Sequence, residues 1–297
     1  MTTLALTLTD SATMLRRNLK RAVRYPGLTV IVAAMPIVFL LLFVFVFGGT
    51  LGAGLGAPSG GRAEYVAYVV PGILILAITG GAQGTAIAIA MDVTEGIIAR
   101  FRTMSIARAS VLTGHVVGAA IQTMVGLALV FAVALLVGFR PDATPLEWLA
   151  VIGVMAMTSF ALSWLSVAMG LSTKTVEAAS NVPMPLMLLP FFGSGFVPVE
   201  SMPGALRWFA EHQPFTPLIE TVRGLLTGTA IGSSGLVATA WCVALALVGY
   251  LWARANYERR PARCSTAPVT AAERVEPLAR PMSRTTTRPT VRSGGST

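Results

Sequence analysis

The chain has 297 residues, of which 54% are apolar and only 12% are charged. Soluble domains carry about twice that share of charge, so these few charged side chains could not cover an ordinary cytosolic globule of this length. The composition also excludes a disordered protein, and two cysteines are too few for a disulfide scaffold. The sequence therefore predicts an integral membrane protein, and long apolar runs indicate that it is all-helical.

Six apolar runs approach or exceed the roughly 20 residues that a helix needs to cross the hydrocarbon core of a bilayer. Prolines and the Gly193–Gly195 pair interrupt the fifth run, so we expect a kinked span that packs against other helices rather than facing lipid. Together the runs predict a six-span membrane domain over residues 28–255. They are 28–48, 68–91, 111–138, 148–171, 181–199 and 235–253.

The distribution of basic residues predicts the orientation of these spans. If the segments between them alternate in side, starting from a cytoplasmic N-terminus, 18 of the 22 Lys and Arg residues are cytoplasmic. The positive-inside rule therefore predicts that both termini are cytoplasmic and that the protein is a multi-pass component of the cell membrane. The same bias explains the net charge of +9 as a topology signal with contact to anionic lipid. No nucleic-acid partner is expected, because the basic residues are not interleaved with aromatic ones.

The predicted spans contain no Asp, Glu, Lys or Arg, and their ionisable candidates are His115 and Cys242. Ion-coupled transporters generally need embedded titratable groups, and we interpret His115 as an interfacial, hydrogen-bonded residue, with a proton relay as the alternative. The sequence has no GxxxxGK[ST], HExxH or GxSxG motif and no paired carboxylates. It predicts no catalytic residue, metal site or cofactor on this chain. Energy for uphill movement would come from another polypeptide.

The N-terminal segment, residues 1–27, has apolar residues near helical spacing and basic residues on the opposite face. This pattern predicts an amphipathic interfacial helix on the inner leaflet that ends before Pro26. The alternative is a polybasic stretch that only sets the topology. The candidate interfacial residues are Arg16, Arg17, Leu19, Lys20, Arg21 and Arg24.

The predicted inner loop, residues 92–110, mixes charged with apolar side chains, which is unusual for a short solvated loop. A short helix with an apolar face at this place needs cover from lipid headgroups or from a soluble partner. Arginines beside apolar anchors are typical of a protein interface. The candidate contact residues are Glu95, Gly96, Arg100, Phe101, Arg102, Met104, Ile106 and Arg108.

The outer stretch, residues 200–234, contains two amphipathic pieces that are too apolar for free loops and too short to cross a membrane. They predict a re-entrant helical hairpin between spans five and six that dips into the outer leaflet. A hairpin that lies on the surface is the alternative. The candidate residues are Trp208, Phe209, Pro214, Pro217, Arg223 and Gly224.

Motifs in these segments resemble those of the permease subunits of type-2 ABC exporters, particularly the daunorubicin-resistance-type multidrug group. They are Arg16-Arg17-Asn18-Leu19-Lys20 with Tyr25-Pro26, Tyr68-Val69-Val70-Pro71-Gly72, Glu95-Gly96 with Arg100-Phe101-Arg102, Gly195-Phe196-Val197-Pro198 with Met202-Pro203, Gln213-Pro214-Phe215-Thr216-Pro217, and Arg223-Gly224-Leu225-Leu226-Thr227-Gly228. The resemblance covers about residues 14–255 and departs at Ser105, where the family pattern commonly has proline. The remaining Arg/Thr/Pro/Ser-rich tail, residues 256–297, is predicted to be a disordered cytoplasmic segment.

The resemblance implies two permease subunits, identical or related, docked on a pair of separate ATPases that bind ATP and Mg. It implies that the inner loop is the ATPase-coupling helix, that the N-terminal helix lies beside the nucleotide-binding domain, and that the outer hairpin caps the exit. The expected function is export of a hydrophobic or amphipathic compound, such as a drug, an antibiotic or a lipid-like molecule. The alternatives are a self-contained, ion-coupled secondary drug transporter and a membrane-embedded enzyme or scaffold.

Overall fold

The computed structural model describes residues 26–54, 61–97 and 108–259. These residues form helices and turns without any strand, which confirms the all-helical prediction for this part of the chain. A π-helical turn, Phe43–Phe47, connects the first two helices. In chain order the helices are α1 (Pro26–Leu42), α2 (Gly48–Gly54), α3 (Arg62–Thr94), α4 (Arg108–Val137), α5 (Pro145–Ser172), α6 (Val176–Asn181), α7 (Met184–Leu188), α8 (Gly204–His212), α9 (Phe215–Thr227) and α10 (Ser234–Arg259).

Five helical stretches of the described residues are long and apolar enough to cross a membrane, and they correspond to five of the six predicted spans. The fifth predicted span is not among them. α10 continues to Arg259 and so includes the first four residues of the predicted tail. The five stretches are Ala33–Thr50, Arg62–Thr94, Leu112–Val137, Pro145–Ser172 and Ser234–Arg259.

The fifth predicted span, residues 181–199, begins at the last residue of α6 and is broken into α7 and a 3-10 turn, Leu189–Phe192. Pro183, Pro185 and Pro190 lack the N–H groups that a continuous helix needs, so the expected interruption is present but no single helix forms. One side of this segment packs against α3. On its other side the single chain exposes apolar side chains that include Val182, Met184, Leu188 and Phe192, so the expectation that this side also packs against other helices stays a prediction.

α3 is the central helix, because it packs against α1, α4, α5, α6 and α9. Its 33 residues include a run from Val69 to Thr79 in which every residue is buried, as expected for a helix surrounded by other helices. By contrast, α4 and α10 lie at the periphery and expose apolar side chains such as Leu136 and Leu236. We call the end at which α3 begins, near Arg62, the hairpin end. The opposite end, near Thr94, is called the loop end.

Backbone contacts through glycine hold the long helices close together. A Cβ atom at Gly249 of α10 would lie 2.6 Å from the backbone nitrogen of Leu165 in α5. A Cβ atom at Gly170 of α5 would lie 2.6 Å from the carbonyl oxygen of Ala86 in α3. Small residues at such crossings allow dispersion contacts between backbones, which is the usual way in which membrane helices associate.

Candidate functional site

The predicted hairpin between the fifth and sixth spans consists of two short helices, α8 and α9, separated by Gln213 and Pro214. α8 is largely exposed, including Trp208 and Phe209. Its exposed Arg207 donates a hydrogen bond to Glu211 over 2.8 Å, and this bond raises the pKa of Arg207 above its ordinary value. The amphipathic character of α8 agrees with the sequence prediction, while its depth in a membrane stays a prediction.

α9 is the buried half of this hairpin and packs against α3, α5 and α10. Pro217 lies in its first turn, where a missing N–H leaves no intrahelical bond unmade, and it is buried. Gly224 is also buried, and a Cβ atom there would lie 3.1 Å from the carbonyl oxygen of Thr229. The helix ends at Gly228, whose φ of +66° is the left-handed conformation typical of a glycine helix terminus.

The side chain of Arg223 extends from α9 into a junction of three elements. Its Nη2 donates hydrogen bonds to the carbonyl oxygens of Tyr68 in α3, at 3.2 Å, and of Ser194. The guanidinium carbon also lies 3.8 Å from the centre of the Tyr68 ring, within the range of a cation–π contact. Among the described residues, no carboxylate oxygen lies within 4.0 Å of this guanidinium. The groups in direct contact with Arg223 are therefore neutral, while the carboxylates of Glu200 and Glu220 act on it from a greater distance.

Beside Arg223, two motifs that are far apart in the sequence touch through their backbones. A Cβ atom at Gly72 in α3 would lie 2.6 Å from the carbonyl oxygen of Gly195. The Tyr65 hydroxyl donates a hydrogen bond to the carbonyl oxygen of Phe196 at 3.5 Å. The structure thus brings together the Tyr68–Gly72, Gly195–Pro198 and Arg223–Gly228 motifs at the hairpin end.

The predicted coupling loop is described only at its two ends. α3 continues to Thr94, and Glu95 follows as an exposed residue at its C-terminus. Gly96 follows in a turn with a φ of +72°, which favours glycine. Arg108 is the first residue of α4. The other candidate loop residues, Arg100, Phe101, Arg102, Met104 and Ile106, lie outside the described residues.

A buried acid–base pair at the loop end was missed by the sequence analysis. Asp92 was assigned to the inner loop, but it lies on α3 with 1% of its surface exposed. Its Oδ2 is 3.2 Å from Nε2 of His115 on α4, so the histidine has a hydrogen-bonding partner as predicted. Asp92 lies just beyond the predicted apolar run, but α3 continues through it to Thr94. The residue is therefore still part of the helix and is buried within the bundle.

The structure does not describe the remaining candidate residues of the site. The interfacial-helix candidates, Arg16, Arg17, Leu19, Lys20, Arg21 and Arg24, lie outside the described residues. Within residues 26–54, 61–97 and 108–259, no group of three or more His, Cys, Asp or Glu side chains could hold a metal ion.

An open apolar groove of about 550 Å³ lies between α4 and α5. Its walls contain no charged residue, so it offers no group that would orient a polar ligand. The lining residues are Val117, Ala120, Ile121, Met124, Val125, Ala128, Ala156 and Phe160.

Comparison with known families identifies the class of protein that carries these features. The model of the family "ABC-2 type transporter" matches residues 10–227, so the match ends at the last residue of α9. The chain belongs to the ABC-2 type transporter family. The resemblance inferred from its motifs is therefore confirmed, and this type-2 ABC permease is a multi-pass membrane protein.

Two similar proteins are permease components connected with drug resistance. The permease is 29% identical over 227 residues to the daunorubicin resistance ABC transporter permease protein DrrB1 of Streptomyces coeruleorubidus, covering 75% of this chain and 76% of that one. It is 26% identical over 180 residues to the probable doxorubicin resistance ABC transporter permease protein DrrC of Mycobacterium tuberculosis, covering 61% of this chain and 65% of that one.

Proposed function

We propose that this chain is the membrane subunit of an ATP-driven exporter that moves a hydrophobic or amphipathic compound out of the cell. The observation that carries the proposal is the family match, which includes both the hairpin and the loop that connects α3 to α4. The names of the two similar proteins favour a drug or antibiotic as cargo. The chain lacks a phosphate-cradling motif, so ATP and Mg would bind to a separate pair of ATPase subunits.

The proposed topology has six crossings, with both termini in the cytoplasm and the broken segment as the fifth crossing. Support comes from its contacts along α3. At the start of the broken segment, the Ser180 carbonyl oxygen accepts a hydrogen bond from Gln83 of α3. Near the end of the segment, Arg223 donates hydrogen bonds to the carbonyl oxygens of both Ser194 and Tyr68, and Tyr68 belongs to α3. From Gln83 to Tyr68 is 15 residues of helix, or about 22 Å at 1.5 Å per residue. The segment therefore covers most of a hydrocarbon core of about 30 Å.

In the proposed mechanism, closure of the ATPases pushes on residues 95–108 at the loop end. α3 continues from Glu95 to the hairpin end without a break, so a displacement of its cytoplasmic end would reach Tyr68 and Gly72. The first two spans would tilt and change a cavity between two permease subunits from inward-open to outward-open. The second subunit would cover apolar side chains that this chain exposes, such as Phe45 on the π-helical turn and Phe192.

The test is to co-express the permease with the ATPase from a neighbouring gene and to measure efflux of daunorubicin from cells. We expect export to require ATP hydrolysis and to be lost in the double variant Glu95→Ala, Arg100→Ala while membrane insertion is unchanged. The control is Glu258→Ala, at an exposed ion pair on α10. Export at the unaltered rate in the double variant would show that this loop does not couple the two subunits.

A second candidate function is ion-coupled transport without an ATPase, and the buried Asp92–His115 pair is the observation in its favour. Titratable groups of this kind carry protons in secondary transporters. The same efflux assay separates the two functions. Export that continues with a hydrolysis-deficient ATPase and stops when the proton gradient is collapsed would replace the ATP-driven proposal with this one.

A further inference from the structure

We propose that Arg223 is a releasable lock at the hairpin end, which holds the turn at residues 193–196 against α3 until the transport pathway opens outward. A single guanidinium on α9 donates hydrogen bonds both to α3 and to this turn. The connection between its release and export rests on the proposed function. The experiment below measures the release itself and needs no transported compound.

The two sides of the lock are unequal. On α3, Arg223 meets both the carbonyl oxygen and the ring of Tyr68, which belong to one continuous helix. On the other side, among the described residues, its hydrogen bond goes to the carbonyl oxygen of Ser194, in a turn that follows the 3-10 turn Leu189–Phe192. The bond to Ser194 is the shorter of the two hydrogen bonds, but it is one contact to an irregular segment, whereas Tyr68 holds the guanidinium through both its carbonyl and its ring. The arginine therefore stays with Tyr68 when the turn moves away.

The turn is also held by the buried ring of Phe196, which packs on Phe43 and Phe191, but its other polar contacts with α3 are weak. Gly72 and Gly195 touch through backbone atoms, so dispersion forces act there without interlocking side chains. The bond from the Tyr65 hydroxyl to the Phe196 carbonyl is 3.5 Å long, at the limit for a hydrogen bond. Of the polar contacts described between the turn and its neighbours, those of Arg223 involve a charge, and such hydrogen bonds are the strong ones.

The neutral partners make this lock reversible. When a buried salt bridge opens, a carboxylate is left without its partner in a medium of low dielectric constant, which is unfavourable. When Arg223 leaves the Ser194 carbonyl, only a neutral acceptor is exposed, and the cation keeps its contacts with Tyr68. A gate that must open in every transport cycle requires a contact of this strength rather than a permanent one.

Ser194 offers a reporter for the opening. Its side chain is buried, and its hydroxyl has no hydrogen-bonding partner, so Ser194→Cys changes little in the closed state. The native thiols are first removed as Cys242→Ser and Cys264→Ser. A membrane-impermeant maleimide is then added to intact cells, and the rate of labelling follows the population in which the turn has moved away.

Three variants at two positions should raise the labelling rate of Ser194→Cys. Arg223→Met removes the lock, and we expect labelling to accelerate at least about tenfold, equivalent to about 1.4 kcal/mol. Arg223→Lys, which keeps the charge but not the planar fork, should give an intermediate rate. Gly72→Ala leaves Arg223 in place but drives a methyl group into the Gly195 carbonyl, and it should accelerate labelling as well. The matched control is Gly80→Ala on the same helix, where a Cβ atom meets nothing within 4 Å.

The outcomes distinguish the lock from the proposed function. If Ser194→Cys is labelled at the same rate with and without Arg223→Met, the lock is overturned. Rapid labelling of Ser194→Cys that carries no other change near the turn, in cells without the ATPase, would also overturn it. If Arg223→Met does not accumulate in membranes, Arg223→Lys decides by the same criterion. Acceleration seen only in inverted vesicles would support the lock while contradicting the proposed topology. Acceleration in intact cells without any effect on daunorubicin efflux would support the lock and count against its role in export.

Discussion

The hairpin end and the loop end of the bundle both contain a buried polar group, but they stabilise it in different ways. At the hairpin end, the Arg223 cation is held by two backbone carbonyls and a tyrosine ring. At the loop end, the Asp92 carboxylate and the His115 imidazole are held by each other, 3.2 Å apart. One end therefore uses neutral partners and the other uses two titratable side chains.

This difference predicts which end can move. Separating α3 from α4 at the loop end would leave a carboxylate buried without its histidine, whereas moving the turn at residues 193–196 exposes only a carbonyl oxygen. The loop end is thus suited to transmit a displacement as a rigid unit, and the hairpin end is suited to open. Three measurements test this contrast, and a fourth measures an exposed carboxylate near the hairpin end; they follow from the largest expected effect to the smallest.

Breaking the pair at the loop end should have the largest effect on stability. Asp92→Ala leaves a buried imidazole without this partner, and we expect the free energy of unfolding in detergent to fall by about 3 kcal/mol. The variant Asp92→Ala, His115→Ala should recover part of that loss, because the two residues are coupled. The exposed pair Arg254–Glu258 provides the control, where Glu258→Ala should not change stability measurably. A loss for Asp92→Ala no greater than that of the control would remove the basis for calling this end rigid.

Glycine-to-alanine variants should show the same difference between the two ends, with smaller losses in the free energy of unfolding. Gly170→Ala forces a methyl group against the Ala86 carbonyl between two long helices, and we expect a loss of about 1–3 kcal/mol in unfolding free energy. Gly72→Ala creates an equally short contact, but the turn opposite can shift, so its loss should stay below about 1 kcal/mol. Denaturant titration of both variants beside Gly153→Ala, which meets nothing within 4 Å, measures the difference. Equal losses at Gly170 and Gly72 would contradict the contrast.

The ring of Tyr68, which lies against the Arg223 guanidinium, should contribute a smaller amount to the free energy of unfolding. Tyr68→Leu removes the cation–π contact and keeps the backbone carbonyl, so we expect a loss of about 1 kcal/mol. Tyr68→Phe keeps an aromatic face and should lose less. Thermal unfolding of the two variants in parallel gives the comparison. A phenylalanine variant as unstable as the leucine variant would assign the effect to the hydroxyl rather than to the ring.

The smallest effect should come from an exposed carboxylate near the hairpin end. Hydrogen bonds from the backbone and side chain of Thr144 lower the pKa of Glu147 at the start of α5. Because the folded-state pKa is the lower one, this contribution is present at pH values above the unfolded-state pKa and disappears as the pH falls through the folded-state pKa. Between pH 6 and pH 3, the melting temperature of Glu147→Gln should therefore fall slightly less than that of the unaltered protein. A steeper fall in the glutamine variant would reverse this sign.

The sequence was sufficient to predict the elements that depend on local composition. The first span, the long third and fourth spans and the last span follow from unbroken apolar runs, and the two helices of the hairpin follow from amphipathic pieces between prolines. The family could be recognised because its motifs occur in order along the chain. Pro183, Pro185 and Pro190 also indicated that the fifth span would be interrupted, although not that it would divide into separate short helices.

Contacts between distant residues could not be predicted in the same way. Nothing in the local sequence connects Arg223 with Tyr68, 155 positions away, because that contact depends on how α9 packs against α3. Asp92 was misplaced because a charged residue at the edge of an apolar run normally marks its end, whereas here a histidine on the next helix compensates the carboxylate. Burial of a polar residue is thus set by its partner, and that partner is supplied by the tertiary fold.

The peripheral position of α10 has a consequence for how the sequence can drift over evolutionary time. On its outer side, α10 exposes residues such as Leu236 and Leu251, which would face lipid and are constrained only to remain apolar. On its inner side, Gly249 is pressed against the backbone of α5 and tolerates no larger side chain. The family match ends just before this helix, at residue 227. Across relatives, α10 should therefore vary freely in its outward residues while retaining a small residue at the position of Gly249.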